Sequence, residues 1–178
     1  ALGLIPTPDY SNWSERWVRD YLSESTFASF GVEHGDLDNL KASLNERHVA
    51  LLSDLPWCIE HPQYLFVHAG LDPNTSFEMQ IRILRQRDFT LNRPPWLCSK
   101  SFVTAPTPND CPVSVVSGHV QVPAVKIESA RVLCDTTGGN GGDLSCVLLP
   151  ENRVISSGND PAPQAVGSSG GKSWWKFW

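Results

Sequence analysis

Two histidines in this chain each close an apolar run. Tyr64-Leu65-Phe66-Val67 ends in His68 and breaks at once into Ala69-Gly70-Leu71-Asp72-Pro73, and Val113-Ser114-Val115-Val116-Ser117 ends in Gly118-His119. Both runs are short and rich in β-branched or aromatic residues, so each reads as a buried strand that delivers an imidazole at its carboxyl end. Neutral imidazole is a common ligand of divalent transition metals, and the neighbouring glycine lets backbone and substrate approach. Two strand-end histidines can face one site. Either one could also do no more than hydrogen-bond a carbonyl, and two histidines do not by themselves hold a catalytic metal.

The elements that must position these residues follow from periodicity. Residues 1–9 carry two prolines and no period and read as an extended lead-in. Ser11 or Asn12 is the expected cap of a helix with Trp13, Trp17, Val18, Tyr21 and Leu22 at helical spacing. Residues 23–35 are small, polar and glycine-punctuated and read as a loop. Leu37, Leu40 and Leu44 share one face of a second helical stretch. A third, from Asn45 or Glu46 to Leu55, is expected to turn Val49, Leu52 and Leu55 inward and to stop at Pro56. A helix is predicted over about residues 76–87. Residues 90–112 hold five prolines without a sustained period, so they read as a long surface loop of the kind that shapes a substrate entrance. Short strands are expected over 124–128, 131–135, 143–149 and 153–156. His34 and His61 fall in predicted loops and His48 within a helix, and all three read as structural or surface residues.

The 178 residues are 40% apolar with net charge -5, which suits a single soluble domain with a buried core. No apolar run is long enough to cross a bilayer, and the start lacks a charged and then apolar leader. Lys41, Lys100, Lys126, Lys172 and Lys176 are scattered, which argues against a nucleic-acid footprint. The five cysteines contain no C-x-x-C, so they read as reduced thiols of a cytoplasmic protein rather than a disulfide framework or a structural zinc site. Residues 1–156 are read as one unit, followed by a Gly/Ser/Pro-rich tail over 157–178 that should be flexible. Gly167-Ser168-Ser169-Gly170-Gly171-Lys172-Ser173 imitates a phosphate-binding loop, but position 166 is valine and neither the strand nor the helix of such a loop is written around it. The tail ends in Trp174, Trp175, Lys176, Phe177 and Trp178, which could meet a membrane interface or the protein's own groove. Five residues are too few for stable anchoring.

Phe66-Val67-His68-Ala69-Gly70-Leu71-Asp72-Pro73 resembles the F-V-H-A-G-[IL]-x-P segment of the PPP-type metallophosphatases, the calcineurin-like phosphoesterases that include serine/threonine protein phosphatases. Gly118-His119 resembles their last metal-binding Gly-His. The segment from Leu133 through Asp135-Thr136-Thr137-Gly138 to Gly141-Gly142-Asp143-Leu144-Ser145-Cys146-Val147 resembles D-T-G-x-x-x-G-G-x-L-T-x-V. Upstream, residues 25–31 are similar to T-L-x-S-Y-G, and Arg47-His48 with Leu52 and Leu55-Pro56 to the helix before the F-V-H strand.

The resemblance implies an α/β fold with a β-sandwich flanked by helices, and a site of two divalent ions, Mn, Fe or Zn, with His68 and His119 as ligands of one. It implies hydrolysis of phosphomonoesters, with phosphoserine or phosphothreonine proteins as substrates and a dinucleoside polyphosphate as the nearest alternative. Gln80 with residues 85–89 resembles Q-x-x-x-x-L-W-I-R-[DE]-x-F, which assigns the phosphate-binding arginine to Arg87, or to Arg85. Gln121, where related phosphoesterases often carry a second histidine, favours the protein-phosphatase branch. The family's G-D-x-H-G, G-D-x-x-D-R-G and G-N-H-E motifs do not occur in the chain. It is therefore expected to be the carboxyl-terminal part of such an enzyme, incomplete in its metal site and inactive alone. The competing reading is a degenerate phosphatase-like subunit that serves partner binding or assembly.

Overall fold

The computed structural model describes residues 2–5, 7, 12–91, 93–139 and 141–158. Four helices come first, α1 (Trp13–Asp20), α2 (Glu24–Ser29), α3 (Leu37–Ala42) and α4 (Glu46–Asp54). Asp36 and Asn45 cap α3 and α4 through bonds to the backbone N–H of Asn39 and His48, the arrangement such side chains favour. Asn12 precedes α1 in a left-handed conformation and makes no side-chain cap bond, contrary to the expected capping. α2 forms inside the stretch read as a loop. It is short, and what holds it is tertiary: Phe27 is fully buried, stacks on Trp17 and meets His34 edge-on. The Ser23 hydroxyl, within hydrogen-bond distance of His34 Nε2, completes that corner.

A five-stranded mixed sheet follows, in the order β1-β2-β3-β5-β4. β1 (Cys58–Glu60) runs antiparallel to β2 (Tyr64–Val67), and β2, β3 (Ser114–Ser117) and β5 (Arg131–Leu133) are parallel neighbours. β4 (Lys126–Ile127) pairs antiparallel on the outer side of β5. A separate hairpin joins β6 (Ser145–Leu148) to β7 (Arg153–Ser156). β1 lies in a stretch for which no strand was predicted, because its three residues form a strand only by pairing with β2.

Parallel strands need a long crossover, and the chain between β2 and β3 supplies it through α5 (Phe77–Gln86), α6 (Pro95–Cys98) and α7 (Lys100–Thr104). The last two arise within the proline-rich stretch expected to be loop, with Pro95 opening α6 where proline's missing N–H costs nothing. Leu65 and Val67 of β2, Ile81 and Leu84 of α5, Trp96 of α6 and Val115 of β3 pack into one core, and Ala69, Val103, Val122 and Leu133 form a second. The molecule is thus a mixed α/β structure with helices flanking a mixed sheet.

The amino-terminal helices are held differently. Neither α1 nor α4 has a fully buried residue. Leu52 and Leu55, expected to face a core, are 41% and 50% exposed, and Leu52 lines a cavity instead of packing into a core. No helix among the described residues is long and apolar enough to cross a membrane. The aromatic tail and the Gly167–Ser173 segment lie outside the described residues.

Candidate functional site

The register of β2 on β3 pairs Phe66 with Val116, and two residue pairs beyond it Gly118 N–H donates to the His68 carbonyl at 3.0 Å. The two imidazoles therefore emerge from neighbouring parallel strands at the same end. Their rings lie 4.8 Å apart between centroids, with His68 Nε2 3.0 Å from His119 Nδ1. Of the sequence-predicted residues, these two are brought together.

Each histidine is fixed by the turn beside it. After His68 the Ala69 N–H donates to the Trp96 carbonyl at 2.8 Å, and Gly70 passes so close to α7 that a Cβ would run into the Phe102 carbonyl. Gln80 then locks the following loop. Its side-chain oxygen accepts from Asp72 N–H and from the Trp96 indole, and its amide donates to the carbonyls of Asp72 and Thr75. It is fully buried with four hydrogen bonds, which meets the demand of a buried amide.

On the other strand, His119 holds a left-handed conformation (φ 69°), uncommon for a non-glycine residue. Gly118 precedes it with so little room that a Cβ would sit 3.3 Å from Asp135 Cβ. Asp135 itself accepts from the N–H of Gly138 at 2.7 Å, which anchors the D-T-G turn beside the site.

Burial pushes the His68 imidazole below its ordinary value, the neighbouring His119 adds to the fall, and Asp135 opposes it. The fall favours the neutral ring, the form of imidazole that can ligate a cation. His119 Nε2 is buried and has no hydrogen-bond partner. Two ligand nitrogens on one ion, each at roughly 2.0–2.1 Å, stand about 3 Å apart at angles between square and tetrahedral. The observed 3.0 Å fits that spacing, as it also fits an N–H···N hydrogen bond. The pair therefore suits two positions of one metal. Among the described residues no group of three or more His, Cys, Asp or Glu is placed to hold an ion.

The arginine candidates lie elsewhere. Arg87 ends α5 in a left-handed conformation and donates from Nη1 to the carbonyls of Ser53 and Leu55 at 3.2 Å, closing the end of α4. Arg85 forks Glu60 at 2.7 Å on each oxygen. Gln121 donates to the Thr136 carbonyl at 3.0 Å, which ties the Gly-His turn to the D-T-G turn. Of the histidines read as structural, His34 and His61 sit in local packing and turn contacts. His48 packs edge-on against Phe30 and leaves Nδ1 buried without a partner.

His68, His119 and His48 line one cavity of about 1150 Å³. Its walls are the exposed apolar sides of α1 and α4, and the proline-rich stretch contributes Leu91, Arg93, Pro94, Leu97, Cys98 and Lys100. Arg93 and Lys100 were not singled out from the sequence. Their only signal was membership of that over-long loop. The chain matches no protein-family model, and no curated protein matches it in sequence.

Proposed function

We propose that the chain is part of a metal-dependent phosphoesterase of the calcineurin-like type, in its serine/threonine protein phosphatase branch, with the β-sandwich that this fold entails. The observation that carries the reading is the His68 Nε2 to His119 Nδ1 separation of 3.0 Å at the carboxyl ends of adjacent parallel strands. Two divalent ions in such a site would supply an activated hydroxide and charge neutralisation at phosphorus. His68 and His119 would hold one of them, as neutral imidazoles whose orientation is set by the Gly70 contact and the Gly118-His119 turn. The resemblance gives the phosphate clamp to Arg87; in this structure its Nη1 serves carbonyls of α4, while Arg93 and Lys100 stand in the cavity wall. Gln121 engaging a backbone carbonyl is in keeping with a branch that uses no second histidine there.

The test is manganese-dependent hydrolysis of 4-nitrophenyl phosphate by the natural protein. Residues that merely orient metal ligands are worth roughly 10- to 100-fold, so His68→Ala or His119→Ala should each cost about 100-fold or more. Full activity in both variants would sink the assignment. A phosphopeptide offered beside a dinucleoside polyphosphate separates the two substrate classes.

A second reading has one observation in its favour: no carboxylate joins the histidine pair among the described residues. On that reading the chain is a phosphatase-like subunit without catalysis, serving partner binding or assembly. It requires that manganese add no activity to the natural protein under any substrate.

A further inference from the structure

The cavity beside the histidine pair has a charge composition opposite to that of the chain. The protein carries net charge -5, yet the described residues lining the cavity include Arg16, Arg93, Lys100 and three histidines and no aspartate or glutamate. Asp20 lies within electrostatic reach of Arg16 and Arg93, but its carboxylate is forked by Arg19 at 2.8 and 3.0 Å. The rest of the wall is apolar, with aromatic rings from α1 and the exposed leucines Leu51 and Leu52 from α4.

The cations are spread around the cavity: Arg16 belongs to α1, and Arg93 lies within electrostatic reach of Asp20 at the end of that helix. The Ala69 bond to the Trp96 carbonyl sets α6 against the end of the His68 strand, so Cys98 and Lys100, just downstream, stand at the histidine end. α1 and α4 supply the other wall. A phosphate alone would use the cations and leave the apolar wall wet. A purely apolar molecule would offer no anion to Arg93 and Lys100.

We infer that this cavity takes amphipathic phosphomonoesters, with the phosphate among His68, His119, Lys100 and the other lining cations and a bulky aromatic leaving group against the apolar surface of α1 and α4. As a substrate class it rests on the phosphoesterase reading; as a binding site it does not. Aromatic and aliphatic walls bury the ligand body, and the described lining residues bring no carboxylate to repel the phosphate. A small alkyl phosphate forgoes the apolar contribution.

The experiment is isothermal titration of the full chain, in chelator, with 1-naphthyl phosphate, 1-naphthol and inorganic phosphate. Naphthyl phosphate should bind at least about tenfold more tightly than either part. Leu52→Glu should remove that advantage over phosphate, and the exposed pair Arg93→Gln with Lys100→Gln should remove the advantage over naphthol while leaving the fold intact. Equal affinity for naphthyl phosphate and inorganic phosphate, or no change in the Arg93/Lys100 variant, overturns the inference.

Binding seen only after Trp174, Trp175, Phe177 and Trp178 are changed to serine also overturns it, by giving the cavity to the chain's own tail. Selective binding without manganese-dependent hydrolysis upholds the ligand class and removes the reaction alone. Hydrolysis of methyl and naphthyl phosphate with equal kcat/KM keeps the reaction and overturns the ligand class.

Discussion

His68 concentrates both the chemistry and a cost. Its ring stands at a strand end beside a second imidazole, and the folded chain resists the proton that the unfolded chain takes up near its ordinary value of 6.5. The unfolded state then binds more protons than the native state as pH falls below that value. Stability is therefore full above about pH 6.5 and declines as pH drops toward the depressed folded value, where the loss levels off. Urea unfolding in chelator should show this fall between pH 7.5 and 5.5, and His68→Gln should flatten it. An unchanged slope in His68→Gln would place the effect in other groups. Asp72, whose carboxyl is likewise held below its usual range by Asn74 N–H and the Thr75 hydroxyl, also loses its contribution as pH falls, but only near or below its ordinary value of 3.8, outside this window.

Among the elements, the β2 end and α5 are joined chiefly by Gln80. Its removal leaves Asp72 N–H, the Trp96 indole and two carbonyls without partners in a buried setting, each costing roughly 1–3 kcal/mol if water cannot reach it. Gln80→Leu, close in volume, should therefore lower unfolding free energy by about 3 kcal/mol, measured in urea, and a loss under 1 kcal/mol would show that the loop re-pairs easily. The sequence made this end of the fold legible because the signal was local. A buried strand bounded by Gly and Pro and a capped amphipathic helix announce themselves by period, so β2, β3, α4 and α5 stand where expected.

What was missed depended on partners outside the element itself. β1 exists through its pairing with β2, and α2 through the burial of Phe27 against Trp17 and His34. α6 and α7 are too short to show a period and are hidden among prolines. The same limit applies to the site. The histidines were visible because each ends a strand, whereas Arg93 and Lys100 matter only through the cavity wall that the crossover builds.

At the scale of the molecule, the described residues divide into a well-buried sheet and less anchored surroundings. β2, β3 and β5 hold the core, while β6 and β7 pair only with each other and touch the site region through Thr136 and Ser145, whose hydroxyls lie 2.8 Å apart. Elements with few buried contacts open without global unfolding. Amide exchange should accordingly be slowest at Leu65, Val115 and Val132 and at least about tenfold faster along β6 and β7, and uniform protection would show one cooperative unit. The paired nitrogens of His68 and His119 come from residues 51 apart in the chain. Bringing them together must close a long loop, so their contact forms only once the parallel pairing of β2 and β3 is in place. Helices can condense early from local contacts, and a chain arrested at that stage would show most of its helical signal with no affinity for a metal at the histidine pair. On the phosphoesterase reading, cation binding by this pair would therefore be a readout of folding kinetics, arriving with the slow non-local step rather than with the fast helical one.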